Sequence, residues 1–246
     1  MISTMEIGQV STRREYRPDN WCWDGQSKSS DVQLSSNQLA AYFHIDPVED
    51  STGTAGVRGT QGFNEGEYYW EVIFTEPAFG TSVMVGVGTQ KALLHTNNYQ
   101  YIDMLGMDDQ SWGLSYKGTI WHNGTCRQYC EPFYENNTKI GILLNLYAGT
   151  LTFFKNGINL GVAFKDLHQV GEELYPLACS TAAETELELG ERSSRKLRLQ
   201  DKCYAAILQS MGLNDNDIDI LPLPNTMKHD LKKDRHNASC NVAGCY

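Results

Sequence analysis

The sequence predicts a mainly β protein, a sandwich of short antiparallel strands followed by a small helical segment. Two observations carry this. From about Trp21 to Leu189, short apolar or alternating runs are separated by Gly, Asn and Asp, with no helical period longer than two turns; strands bounded by turns read this way. After Gly190 the character changes, and Leu199, Cys203 and Ile207 recur at four-residue spacing, which places them along one helical face.

The clearest strand runs are 68–74, 82–87, 112–116, 119–122, 140–146, 150–155, 158–164 and 174–178, enough for two packed sheets. Asn156-Gly157 lies between two of them and supplies the two positive-φ residues of a type I′ hairpin turn. Asn123-Gly124 is a similar hairpin candidate, and Tyr147-Ala148-Gly149-Thr150 turns between two further runs. The segments Asp46–Gly62 and Leu93–Gln110 are long and polar, and long loops on a rigid sandwich commonly carry binding. Glu191–Lys196 is charged and contains serine, the composition of a linker. Beyond it, a helix through Leu199, Cys203 and Ile207 ends near Gly212. Leu221-Pro222-Leu223-Pro224 cannot continue a helix, and Asn225 or Thr226 is placed to cap a second one over Met227–Lys233. The expected organisation is an extension over 1–20, a sandwich over 21–189, a linker over 190–195, a helical box over 196–233 and a tail over 234–246. A helix pair this poor in large apolar side chains buries too little to stand alone, so it packs on the sandwich or on another protein.

With 20 basic and 30 acidic residues the net charge is −10, which repels nucleic-acid phosphates and anionic lipid. Protein partners are expected, with no nucleic acid and no membrane. No run reaches the roughly 18 apolar residues of a bilayer span, and Met1–Tyr16 has no apolar signal core. The expected location is the cytoplasm, with the nucleus as an alternative. Seven cysteines without framework spacing read as thiols in a reducing compartment.

No catalytic constellation emerges. His122, Cys126 and Cys130 are four residues apart, but they fall in a hairpin that does not gather the ligands zinc needs. Gly86-Val87-Gly88 has Lys91 where a dinucleotide loop needs its third glycine; these glycines read as relief of crowding inside a strand. Neither a metal nor any other cofactor is expected.

Several runs together resemble a SPRY domain: Tyr69-Trp70-Glu71-Val72, Val85 to Thr89, Ser111 to Tyr116, Leu151 to Gly157 and Tyr175-Pro176-Leu177. The resemblance implies a bent sandwich of two antiparallel sheets that binds protein partners through loops at one edge and is not an enzyme. The tail resembles a SOCS box, in which a Leu, a Cys four positions on and an aliphatic residue four further enter a pocket of elongin C. Leu199, Cys203 and Ile207 fit that pattern, although Arg198 stands where the family often has Ser, Thr or Pro. Leu221, Pro222, Leu223 and Pro224 resemble the element that selects the fifth type of cullin. The whole resembles the SPRY domain-containing SOCS box family, and Cys179 to Ala183 with His44 look most like its divergent third member.

That resemblance implies a non-catalytic substrate receptor of a ubiquitin ligase. Its partners would be elongin C with elongin B, a cullin of the fifth type with its RING subunit, and a protein substrate held as an extended peptide. Typical members grip an Asn-rich peptide in a loop pocket that includes a tryptophan shortly after the Tyr-Pro strand; Ala182 occupies that position here. Matching positions remain at Pro47, Gly80, Thr81 and Tyr99, and Thr181 is a further candidate. Tyr99 offers a stacking face, Thr81 and Thr181 offer hydroxyls, and Gly80 admits a close backbone. The alternatives are a SPRY scaffold whose tail folds back without recruiting a ligase, and a sugar-binding sandwich.

Overall fold

The computed structural model describes residues 16–44, 52–96, 99–196, 203, 207, 215–229 and 231–232. Alternation decides which side chains turn inward. In Glu67–Phe74 the side chains of Tyr68, Trp70, Val72 and Phe74 are buried, while Tyr69, Glu71 and Ile73 are half-buried, the period-2 signature of a strand with one face on a core.

Two antiparallel sheets result. The first runs β13 (Ile158–Phe164), β12 (Thr150–Lys155), β11 (Thr138–Asn145), β6 (Glu67–Phe74), β15 (Thr185–Arg195), β4 (Ala40–Phe43) and β3 (Val32–Leu34), with β1 (Arg17–Pro18) also on β15. The second runs β10 (Thr125–Gln128), β9 (Thr119–His122), β8 (Ser111–Ser115), β7 (Val83–Gly88), β14 (Tyr175–Ser180), β5 (Ala55–Gly59) and β2 (Trp23–Lys28). Their inner faces enclose one core. At one end Phe63 stacks on Tyr68 at 3.9 Å, and Trp21 meets Phe63 and Trp70 edge-on at 6.1 and 6.0 Å. Both Asn-Gly pairs make the expected turns, with φ of 48° and 68° at Asn123-Gly124 and 51° and 81° at Asn156-Gly157.

The second sheet is covered on both faces. Val83, Val85 and Val87 point into the main core, whereas Met84, Leu177 and Cys179 meet Ala92, Met104 and Leu105 in a separate cluster on the outer face. This explains why β5, β7 and β8 are buried throughout. Close approach needs small residues: a Cβ on Gly113 would lie 2.6 Å from Leu105 Cβ, and one on Gly86 would lie 2.0 Å from the Trp112 carbonyl oxygen. The covering segment is pinned to β5 and the residues just before it. Arg58 Nη2 donates to the carbonyls of Thr89, Gln90 and Ala92 at 3.4, 3.0 and 3.1 Å. Gly56 N–H donates to the Leu94 carbonyl at 2.8 Å. Thr54 N–H donates to Thr96 Oγ1 at 2.7 Å, and Ile102 N–H to Thr54 Oγ1 at 3.0 Å.

Residues 190–195, expected to be a linker, are instead the second half of β15, paired with β6 through Arg195↔Glu67. The register shifts between Leu189 and Arg192, so the alternation breaks at a bulge and the charges that follow are engaged. Arg192 lies over the Trp21 ring, and Arg195 pairs with buried Glu67 at 3.1 Å. Glu67 also accepts from Asn145 Nδ2 at 2.6 Å and from the Tyr16 hydroxyl. Arg17–Pro18, expected in the extension, likewise join the sheet.

Residues 1–195 and 196–246 form two compact units. In the second, Cys203 and Ile207 are helical, a short helix α1 (Asp215–Ile220) was not foreseen, and 225–229 are helical close to the expected cap. Ile218 and Leu231 are fully buried there, with Ile207, Leu221, Leu223 and Met227 packed around them.

Arg58→Met retains bulk but removes three charge-assisted bonds to carbonyls. A loss of about 2–4 kcal/mol in urea unfolding is expected, with faster amide exchange at Gly56, Thr96 and Ile102. Unchanged exchange at these three would show that the segment is held by its apolar contacts alone.

Candidate functional site

A chain of polar contacts links the loops at one edge of the sandwich. Tyr99 N–H donates to the Thr52 carbonyl at 2.7 Å. Thr52 Oγ1 donates to Asp31 Oδ2 at 3.3 Å, and the same oxygen lies 3.6 Å from His44 Nδ1. His44 Nε2 is 3.2 Å from the Ser180 carbonyl, an acceptor that selects the Nε2–H tautomer. Ser180 leads into the 181–184 turn, where Thr181 N–H donates to the Ser82 carbonyl at 2.9 Å. Ser82 in turn follows Gly80 and Thr81. Side chains of the turn after β8 tie this loop down: the Tyr116 hydroxyl donates to the Gly80 carbonyl at 2.6 Å, and Lys117 Nζ donates to that of Thr81.

The expected recognition residues distribute unevenly along this edge. Tyr99 is 67% exposed with φ of 58°, so the ring stands clear of the sandwich. Gly80 and Thr81 are exposed, and Gly80 has φ of 81°. A Cβ there would approach Ala182 Cβ to 3.0 Å, and Ala182 is itself buried; the place of the usual tryptophan is a packed contact beneath Gly80. Thr181 corrects the expectation of a free hydroxyl. It is buried, and its Oγ1 accepts from Ser82 N–H at 2.9 Å and donates to the Ser82 carbonyl at 3.1 Å. Pro47 lies outside the described residues, between His44 and Thr52. Asp31, Thr52 and Ser180 were missed, because their bonds join positions far apart in the chain and no local motif marks them.

His44 is a buried histidine whose pKa is lowered, burial outweighing the Ser180 carbonyl and the Asp31 carboxylate that raise it. Chemistry elsewhere is quiet. His122 stacks on Trp112 with ring centroids 4.4 Å apart and bonds the Ser111 carbonyl at 2.9 Å through Nδ1. No His, Cys, Asp or Glu group among the described residues is arranged to hold a metal. Cys179 is fully buried, and burial pushes its thiol up to about 12, which makes it a poor nucleophile.

In the second unit Cys203, Pro222 and Pro224 are exposed, whereas Ile207, Leu221 and Leu223 are half-buried against the small core. Leu199 lies outside the described residues.

The two antiparallel sheets that carry this edge are those of a SPRY-type sandwich. A SPRY domain model matches residues 67–192, and the chain belongs to the SPRY domain family. SPRY domain-containing SOCS box protein 3 of Xenopus laevis is 36% identical over 209 residues, covering 85% of this chain and 56% of that protein. The F-box/SPRY domain-containing protein 1 of Drosophila melanogaster is 34% identical over 190 residues, covering 74% and 71%. The chain thus spans little more than half the length of the SOCS box relatives it matches. Among solved structures, the SPRY domain of human HERC1 superposes with a TM-score of 0.55 at 20% identity over 69% of this chain and 97% of that one. The TRIM65 PSpry domain does so at 0.54 and 24%, over 70% and 90%.

Thr181→Ala strands the buried Ser82 N–H, so a loss of about 1–3 kcal/mol in thermal unfolding is expected; full stability would mean that the 80–82 loop does not lean on this hydroxyl. Native His44 binds fewer protons than the unfolded chain. Its stabilising effect is therefore complete above the unfolded value near 6.5 and is lost as pH falls through the lowered native pKa. A His44→Gln chain should show a flatter stability profile in that window; an identical slope would assign the acid sensitivity to other groups.

Proposed function

We propose that the chain is a non-catalytic substrate receptor of an elongin–cullin–RING ubiquitin ligase. The observation that carries the reading is the pairing of a SPRY sandwich, whose edge loops expose Tyr99 and Thr81, with a separate compact unit starting at Lys196 that contains the Leu199/Cys203/Ile207 and Leu221 to Pro224 patterns. Relatives named for a SPRY domain together with a SOCS box or an F-box support it. In this reading Leu199, Cys203 and Ile207 contact elongin C, which brings elongin B. Leu221, Pro222, Leu223 and Pro224 contact a cullin of the fifth type, which brings a RING subunit. Pro47, Gly80, Thr81 and Tyr99 face an extended segment of the substrate, with Thr181 holding the loop beneath them. The chain's contribution is proximity, holding substrate lysines where activated ubiquitin is delivered, and degradation follows. Such partners place it in the cytoplasm or nucleus. No helix among the described residues is long and apolar enough to cross a membrane.

A second reading, a SPRY scaffold that recruits no ligase, is favoured by the packing of Ile207, Leu221 and Leu223 against Ile218 and Leu231. Co-purification separates the two. The natural chain is expected to bring down elongins B and C, and the Leu199→Pro, Cys203→Phe chain neither; a natural chain that recruits no elongin leaves the scaffold. Proximity labelling with a Tyr99→Ala, Thr81→Ala chain should lose SPRY-dependent partners that accumulate when the receptor is removed. An unchanged set would move the recognition surface elsewhere.

A further inference from the structure

On the outer face of the first sheet, directly beside the rim, lies an open depression of about 540 Å³ lined by Tyr42, Glu76, Pro77, Phe79, Glu184 and Glu186. The pairing of β4 with β15 creates its floor. Tyr42 sits opposite Glu186, while the flanking residues Phe43, Thr185 and Leu187 are buried on the other face. The 75–80 segment supplies one wall. Ala78 anchors it in the core, leaving Phe79 53% exposed. The 181–184 turn supplies the other wall with Glu184.

The chemistry of this depression is one-sided. Among the described residues none of Glu76, Glu184 and Glu186 has a basic partner; the ion pairs of the sandwich lie elsewhere. Tyr42 is a neutral phenol, and the Glu186 carboxylate beside it raises its pKa further. Carboxylates around an exposed phenylalanine, a proline and a phenol complement a cation carried on an apolar stem, whose methylenes lie on the rings while its head meets the oxygens. Arginine and lysine side chains have that form. The net charge of −10 favours the encounter with a basic segment.

We infer that this cleft receives an arginine or lysine side chain of an extended protein segment whose neighbouring residues run over Gly80 and Thr81. Phe79 is adjacent to Gly80 and Glu184 lies two residues beyond Ala182, so cleft and rim form one continuous surface. The inference rests on the rim being the substrate face and adds the charge class of the substrate: a basic residue flanking the rim-bound stretch.

The test uses the full-length chain and a short fluorescein-labelled Gly-Ser peptide bearing a central Leu-Arg-Leu, with a Leu-Gln-Leu twin, followed by fluorescence anisotropy at low and high salt. The arginine peptide is expected to bind about tenfold more tightly than its twin at low salt, with the preference shrinking at high salt. Glu184→Gln with Glu186→Gln should remove the preference, and Phe79→Ala should weaken both peptides. Both are surface changes, and unaltered thermal unfolding verifies the fold. Equal affinities, no measurable binding of either peptide, or a preference that survives the double glutamine change overturns the inference. Elongin co-purification of the double glutamine chain keeps the two readings separate. Absent arginine preference with elongins still bound removes the cleft and leaves the receptor; arginine preference without elongins in the natural chain removes the receptor and leaves the cleft.

Discussion

Arg58 carries a charge into the interior, and its Nη2 meets the carbonyls of Thr89, Gln90 and Ala92 as the chain leaves β7. A buried guanidinium is costly without such acceptors; the Nη2 end of Arg58 has them while its buried Nε has none, so the bonds that Nη2 makes also fix where the next segment runs. From there the chain lies on the outer face of β5, β7 and β8, with Met104 and Leu105 buried against Met84, Leu177 and Cys179. Each of the methionine and leucine side chains contributes roughly 1.5–3 kcal/mol by leaving water. Tyr99 lies within this docked segment, tied to Thr52 and flanked by Thr96 and Ile102, both bonded to Thr54. Its exposure is therefore set by the contacts that hold the chain on either side of it.

The same economy governs the edge. Polar side chains there mostly hold the loops: the Thr181 hydroxyl bonds Ser82, Tyr116 bonds Gly80, and Asp31 accepts from Thr52. What remains available is an exposed ring, two loop residues with an accessible backbone, and the acidic depression beside them. The rim presents backbone and ring surface and the depression presents carboxylates, and the two share the 79–81 and 182–184 segments.

The second unit shows the opposite balance. It has too few large apolar residues to bury a full core, and Ile218 with Leu231 form its centre. Ile207, Leu221 and Leu223 divide their surface between that centre and the outside, while Cys203 is exposed. Residues that complete a small core only in part are suited to finishing it against another protein.

Much of the sandwich was legible in the residues. Strands 6 to 9 and 11 to 14 alternate or run apolar between turn residues, and Asn123-Gly124 and Asn156-Gly157 have backbone preferences that local sterics alone impose. Other strands were not legible, β1 to β4 among them, and three cases show why. β5, Ala-Gly-Val-Arg-Gly, is buried on both faces and carries a charge and two glycines, because its outer face must admit another segment of chain. β15 beyond Leu189 reads as a charged connector because a bulge breaks its alternation and its arginines are paired with Glu67 and stacked on Trp21. β10 is exposed throughout and has no apolar face to announce it. At the edge that carries the candidate site, the sequence by itself determined which residue types are present: a glycine and threonine after Phe79, a tyrosine at 99, an alanine at 182. Only the tertiary structure decided that Thr181 is spent on Ser82, that Ala182 is packed beneath Gly80, and that three glutamates from separate strands and turns surround one exposed phenylalanine. Alternation and turn chemistry act between neighbours in the chain, whereas burial, hydrogen-bond partners and charge clusters depend on which distant segments the two sheets bring to the same edge.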